Sequence, residues 1–167
     1  MQQFNVILFI ALFTLSIPKT EELLHIKDVP KNHSFQIGER FIGPEIRYEL
    51  TPYPLFDDER KNDSIRQIAE FVQRHTNCVF EIGNHTDSRG SESANRIISE
   101  NRAKSIYRSL IDDFAVDSTK LTYKGYGEQF PIIPNDSIYS YIRTDREIFE
   151  KLHQMNRRIE LKVITVF

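Results

Sequence analysis

One change of hydrophobic period constrains this chain more than any other feature. Cys78 to Gly83 is nearly continuous apolar sequence, the pattern of a strand in the interior of a sheet with helices covering it. A polar stretch, Gly83-Asn84-His85-Thr86-Asp87-Ser88-Arg89-Gly90, ends the run. Ala94, Ile98, Ala103, Ile106, Leu110 and Ile111 then give a helical core stripe, which predicts a helix to about Asp113, capped by Ser91 or Ser93. Val116 to Lys120 leads into another strand, Leu121 to Lys124, which Gly125-Tyr126-Gly127 is expected to break. Strand, helix and strand in this order require a layered α/β arrangement, with a polar turn standing at a strand end.

The pattern extends to both sides. Glu45 to Leu50 alternates, with Ile46, Tyr48 and Leu50 on one side, and predicts a first strand ended by Pro52 and Pro54. Ile65, Ile68, Ala69 and Val72 predict a helix, with Asp57, Asp58 and Glu59 at the end where its dipole favours acids, and Arg74 and His75 at the other. Pro131 to Tyr141 reads as a loop and Asp145 to Met155 as a helix. Ile159, Leu161 and Val163 alternate with Glu160, Lys162 and Ile164 in a last strand with one exposed face. The order β-α-β-α-β-(α)-β gives a two-layer α/β (α+β) sandwich, a mixed sheet with helices on one face.

The N-terminal part differs in composition. Phe4 to Ile17 is almost all apolar, but its 14 residues are fewer than the roughly 20 that a membrane span needs. It fits the apolar segment of a secretory signal. Lys19 to Asn32 is polar and reads as a linker, and Phe35-Gln36-Ile37 and Phe41-Ile42 as short extended pieces. The expected organisation is residues 1–18 as a signal peptide or short anchor, 19–44 as linker and lead-in strands, and 45–167 as one domain of an exported protein.

Spacing brings three polar side chains together. Asn95 and Arg102 are seven residues apart, which returns a helix to within about 20° of the same face, and Ser99 shares it. Asp87 lies before that helix and past the strand end, where ligands dock in open α/β folds. An arginine fork binds a carboxylate through two parallel bonds, and an aspartate accepts from an ammonium. One fixed charge of each sign in one crevice suits a zwitterion. The same spacing also permits a salt bridge between Asp87 and Arg102 that ties loop to helix.

Five motifs follow in order along the chain. They are His85-Thr86-Asp87 with Gly90; Asn95; Ser99-Glu100-Asn101-Arg102-Ala103; Gly125-Tyr126-Gly127-Glu128 with Pro131; and Asn156-Arg157-Arg158-Ile159-Glu160. In order and gaps they resemble the C-terminal peptidoglycan-binding domain of the OmpA-like family, which includes peptidoglycan-associated lipoproteins and flagellar stator proteins. The resemblance covers about Tyr48 to Val166. It implies that Asp87 and Arg102 bind the zwitterionic end of diaminopimelate in the peptidoglycan stem peptide, and that Asn95 contacts the ligand. It also implies that the Asn156-Arg157-Arg158 motif brings an arginine near it. Arg89 stands where the family has Thr or Ser, and either adds a carboxylate contact or faces solvent, while His85, Thr86, Ser99 and Asn156 are expected as supporting residues. The function implied is non-covalent tethering to the cell wall in the periplasm, with peptidoglycan and an outer-membrane protein as partners. Two departures stand out. Asn84 intervenes between Gly83 and His85, and Tyr48-Glu49-Leu50-Thr51 replaces the family's usual Phe-Asp strand end.

Other functions find less support. A net charge of −2 gives no bulk attraction to nucleic acid or anionic lipid. The single cysteine, Cys78, excludes an internal disulfide and reads as a buried core thiol. His85 and Asp87 alternate but lack further metal ligands at suitable spacing, so no metal, cofactor or catalytic residue is assigned. A metal-dependent envelope hydrolase and an OmpA-like scaffold that has lost wall binding are the alternatives to the binding module.

Overall fold

The structure, a computed structural model, describes residues 23–46 and 59–167. The apolar segment expected to direct export, and most of the first strand expected over residues 45–50, lie outside the described residues.

Four strands form one mixed sheet: β1 (Arg40–Ile42), β2 (Cys78–His85), β3 (Leu121–Gly127) and β4 (Ile159–Val166). Their spatial order is β1-β4-β2-β3. β2 and β3 are parallel, joined through helix α2 (Glu92–Asp112), and β4 runs antiparallel to both β1 and β2. Helix α1 (Glu59–Arg74) precedes β2, and α3 (Asn135–Tyr139) and α4 (Arg146–Asn156) precede β4.

The near-continuous apolar run does take an interior position, between β4 and β3. Cys78, Phe80 and Ile82 point to one side and are fully buried beneath Ile65, Ile68, Ile106 and Leu110 of the two long helices. Burial pushes the Cys78 thiol up, as suits an inert core thiol. The opposite side of β2 carries Glu81, Gly83 and His85. A strand buried on one side and lined with polar groups on the other explains why its sequence is apolar but not uniformly so.

Several expectations change. The presumed linker is part of the fold where it is described. Ile26 is buried, and the Ile42 N–H donates to the Leu24 carbonyl at 2.9 Å. Phe35 and Phe41 close the core edge-on against Phe71, His75 and Phe80, with Phe35 to His75 centroids 4.7 Å apart. Burying a phenylalanine contributes about 1.5–3 kcal/mol, so Phe35 and Phe41, together with Ile26, make residues before position 45 a stabilising part of the core. The short extended piece expected at Phe41-Ile42 is β1, and Arg40–Ile42 pairs with the Glu160–Lys162 stretch of β4. Pro131 to Tyr141 contains α3, whose Ile138 is buried and whose Tyr139 ring meets Phe149 of α4 edge-on.

The inward face of α2 also differs. Its buried residues are Asn95, Ser99, Ala103, Ile106 and Leu110, whereas Ala94 and Ile98 are exposed. The first two turns bury polar side chains because they face the end of the sheet, where backbone groups need partners, rather than its apolar middle.

β3 is not broken at Gly125-Tyr126-Gly127 but runs through it. A Cβ on Gly125 would lie 2.2 Å from the Glu100 backbone nitrogen, so only glycine lets the strand pass so close to α2. The helix supplies the matching acceptors. The Gly125 N–H donates to the Glu100 carboxylate at 2.6 Å and the Gly127 N–H to the Ser99 hydroxyl at 2.8 Å.

Candidate functional site

Where β2 ends, the chain is held from both sides. The His85 N–H donates to the Arg158 carbonyl just ahead of β4 and the Thr86 N–H to the Gly127 carbonyl on β3, both at 2.9 Å. Asp87 follows, only 6% exposed. Gly90, at φ +106°, turns the chain in a region that side-chain-bearing residues avoid, and Ser91 caps α2 by accepting from the Ala94 N–H at 3.2 Å.

Asn95 fixes the turn. Its side-chain amide donates to the Asp87 carbonyl at 3.1 Å, the Arg89 carbonyl at 3.3 Å and the Glu128 carboxylate. With its donors committed to the loop, Asn95 holds the turn that carries Asp87, and it also lines the cleft beside that turn. Ser99 donates to the Arg96 carbonyl as well as accepting from Gly127, so it fastens α2 to β3.

The Asp87 carboxylate is already engaged. It accepts from the Arg89 N–H at 3.0 Å, from the Arg89 guanidinium at 2.7–3.3 Å and from Arg157. Burial pushes its carboxyl up, but the bonds from Arg89 and Arg157 together bring it below the ordinary value, so Asp87 is ionised at neutral pH. Arg89 also reaches Glu150 on α4 at 3.0 Å, and Glu150 meets Arg146 at 2.8 Å. A chain of alternating charges thus ties the β2–α2 turn to α4.

A cleft opens beside this turn. Asp87, Arg89, Ile98, Arg102, Lys151 and Arg157 are among the residues that line it. Asp87 and Arg102 therefore share one crevice, as their spacing predicted. Among the described residues, the guanidiniums within ion-pair distance of Asp87 are those of Arg89 and Arg157.

A model of the OmpA family matches residues 55–143. The chain belongs to the OmpA family. It is 26% identical over 126 residues to outer membrane porin F of Pseudomonas aeruginosa, covering 73% of this chain and 33% of the porin. It is 27% identical over 106 residues to the peptidoglycan-associated lipoprotein of Buchnera aphidicola, covering 64% of this chain and 60% of the lipoprotein. It thus spans about a third of the one relative and three fifths of the other. The crystal structure of the C-terminal domain of Helicobacter pylori MotB superposes with a TM-score of 0.51 at 23% identity, over 65% of this chain and 74% of that one, and shows the shared fold.

The remaining predicted site residues of this OmpA-family chain have distinct placements. Arg157 and Arg158 both line the cleft, but Arg158 is buried, with its guanidinium donating to Glu160 at 2.7 Å and to the Phe130 carbonyl at 2.8 Å. Asn156 is buried and exchanges two 2.9 Å hydrogen bonds with the Ile133 backbone, which pins the loop ahead of α3. His85 was expected to hydrogen-bond, and its Nε2 stands 3.5 Å from the Glu160 carboxylate, at the outer limit of such a bond, while its Nδ1 has no partner among the described residues. Its ring stacks on Tyr126, with centroids 4.9 Å apart and planes 5° apart. Burial holds the imidazole below its ordinary pKa, against the Glu160 carboxylate 3.5 Å away. The Thr86 hydroxyl is buried and likewise lacks a hydrogen-bond partner among the described residues.

Sequence reasoning missed three acids. Glu128 anchors Asn95, Glu150 anchors Arg89, and Glu160 sits between Arg158 and His85. Burial opposes ionisation of Glu160, yet the His85 edge and the Arg158 guanidinium hold its carboxyl at about 2. Glu128 and Glu160 belong to recognisable motifs and were legible in principle. Nothing local marks Glu150.

Proposed function

We propose that this chain is a non-catalytic module of the cell envelope that binds peptidoglycan through the zwitterionic end of diaminopimelate. The observation that carries the reading is the shared cleft: Asp87, ionised and fixed at a strand end, and Arg102 on the helix that follows line one crevice in an OmpA-family fold. In this reading the ligand ammonium takes an acceptor position on Asp87 now held by Arg89 or Arg157. The displaced guanidinium and Arg102 then receive the ligand carboxylate, an exchange that keeps every charge paired. Asn95 holds the turn in register throughout. Residues 1–18 would direct export or anchor the chain, and the remainder would tether the outer envelope to the wall.

Calorimetric titration of the protein with meso-diaminopimelate, alongside pull-down on purified sacculi, tests the reading. Saturable binding that Arg102→Ala weakens at least tenfold is expected, with little rescue by Arg102→Lys, since a point charge cannot replace the fork. Absence of binding to both the free amino acid and sacculi would refute it. One observation favours a second reading, a scaffold that keeps the fold without the ligand. Asp87 already has two guanidinium partners and could serve only to fasten the turn to α4. Loss of stability in Asp87 variants with no sacculus binding by the parent protein would select that reading.

A further inference from the structure

The described lining of the cleft carries more positive than negative side chains. Its described lining includes Arg89, Arg102, Lys151, Arg157 and Arg158 against the carboxylates of Glu45 and Asp87. Arg158 can be set aside, because Glu160 neutralises it on the far side of β4. Arg89 and Arg157 share Asp87, with Glu150 taking the outer edge of Arg89. Lys151 remains. It projects from α4 one turn before Gln154 and Met155, which line the cleft with it, and it forms no ion pair among the described residues. Its neighbour Glu150 turns instead to Arg89 and Arg146.

We infer that Lys151 receives a second free carboxylate of the bound stem peptide, so the site prefers a stem whose glutamyl α-carboxyl is unamidated. This rests on the diaminopimelate reading of the same cleft. A zwitterionic end occupies Asp87 and Arg102 with no net charge. A stem peptide carries further carboxylates along its backbone, and Lys151 lines the same cleft as Asp87 and Arg102, where a chain leaving the clamp along α4 would meet it. An amide there keeps shape and hydrogen bonding but loses the charge that the lysine reads. Lys151 is exposed, so the preference is that of a solvent-screened pair: about two- to fivefold in Kd at low salt, shrinking as salt rises.

The test uses the full chain and two synthetic tripeptides, L-alanyl-γ-D-glutamyl-meso-diaminopimelate and its isoglutamine counterpart, titrated by calorimetry at low and high salt. The acid form should bind about two- to fivefold tighter than the amide at low salt. Lys151→Gln should bring the two to equal affinity without altering the amide's. Equal binding of both peptides by the native protein overturns the inference and leaves the clamp standing. Discrimination that survives in Lys151→Gln overturns the role of Lys151. If neither peptide binds, the clamp itself falls and this inference with it.

Discussion

Replacing Asp87 by asparagine isolates the charge from the shape of the turn. The amide retains the side chain's size and one oxygen, which can still accept from the Arg89 N–H at 3.0 Å. What it cannot supply is the charge that holds the guanidiniums of Arg89 and Arg157. A hydrogen bond to a charged group contributes about 1.5–3 kcal/mol when well shielded. Arg89 and Arg157 keep 40% and 30% of their side chains exposed, which discounts each bond towards the surface value. The expected loss is therefore about 1–3 kcal/mol in total. Its pH dependence identifies the cause. The folded-state pKa of Asp87 is depressed, so its contribution is complete above the unfolded value, about 3.9, and disappears as pH falls through the folded value. Urea unfolding of wild type and Asp87→Asn should differ by a constant amount between about pH 5.5 and 8. The two should converge below about pH 4. Other acids titrate in both proteins and cancel in the difference. Equal stability at pH 7, or a gap that persists undiminished at pH 3, would show that the charge does not hold the turn. Sacculus binding by the same variant should fall at least tenfold, because the ammonium loses its counter-charge.

Gly125→Ala places a methyl group 2.2 Å from the Glu100 backbone nitrogen, so α2 and β3 must separate. Denaturant melts should show a loss of at least about 2 kcal/mol, and a near-neutral result would mean the close approach is absent. Glu160→Gln strands the buried Arg158 without its counter-charge and should cost about 3 kcal/mol or more at pH 7. Wild type loses this contribution only as pH falls towards about 2, so an effect that fades by pH 5 would refute the pairing. Fusion of residues 1–45 to a reporter active only outside the cytoplasm should give activity, and a wholly cytoplasmic signal would remove the export reading.

The elements that were legible share a physical basis. β2, α2 and β4 each carry enough periodic apolar residues that only one face of each can be buried. Cys78, Phe80 and Ile82 must point one way, and Ile106 and Leu110 must meet them. Asp87 and Arg102 were placed correctly because one lies at a strand end and the other sits on a helix whose facing is fixed by that apolar half. Errors arose where a partner distant in sequence decides the outcome. Gly125 and Gly127 look like a strand ending, yet Glu100 and Ser99 accept their N–H groups and continue the strand. Ile98 fits the stripe of α2, but its side chain lies beyond the sheet's end, where Asn95 and Ser99 have backbone to satisfy.

By itself the sequence determined the layered α/β fold, the family, and the two opposite charges that face one cleft. These follow from period and local spacing, which survive whatever the rest of the chain does. Tertiary structure alone decided which cations hold Asp87, that Arg158 is sealed against Glu160 while Arg157 faces the cleft, and that residues ahead of the expected domain complete its core. Long side chains choose partners by distance in space. Arg157 reaches Asp87 across 70 residues and Arg89 reaches Glu150 across 61, separations at which local pattern carries no information.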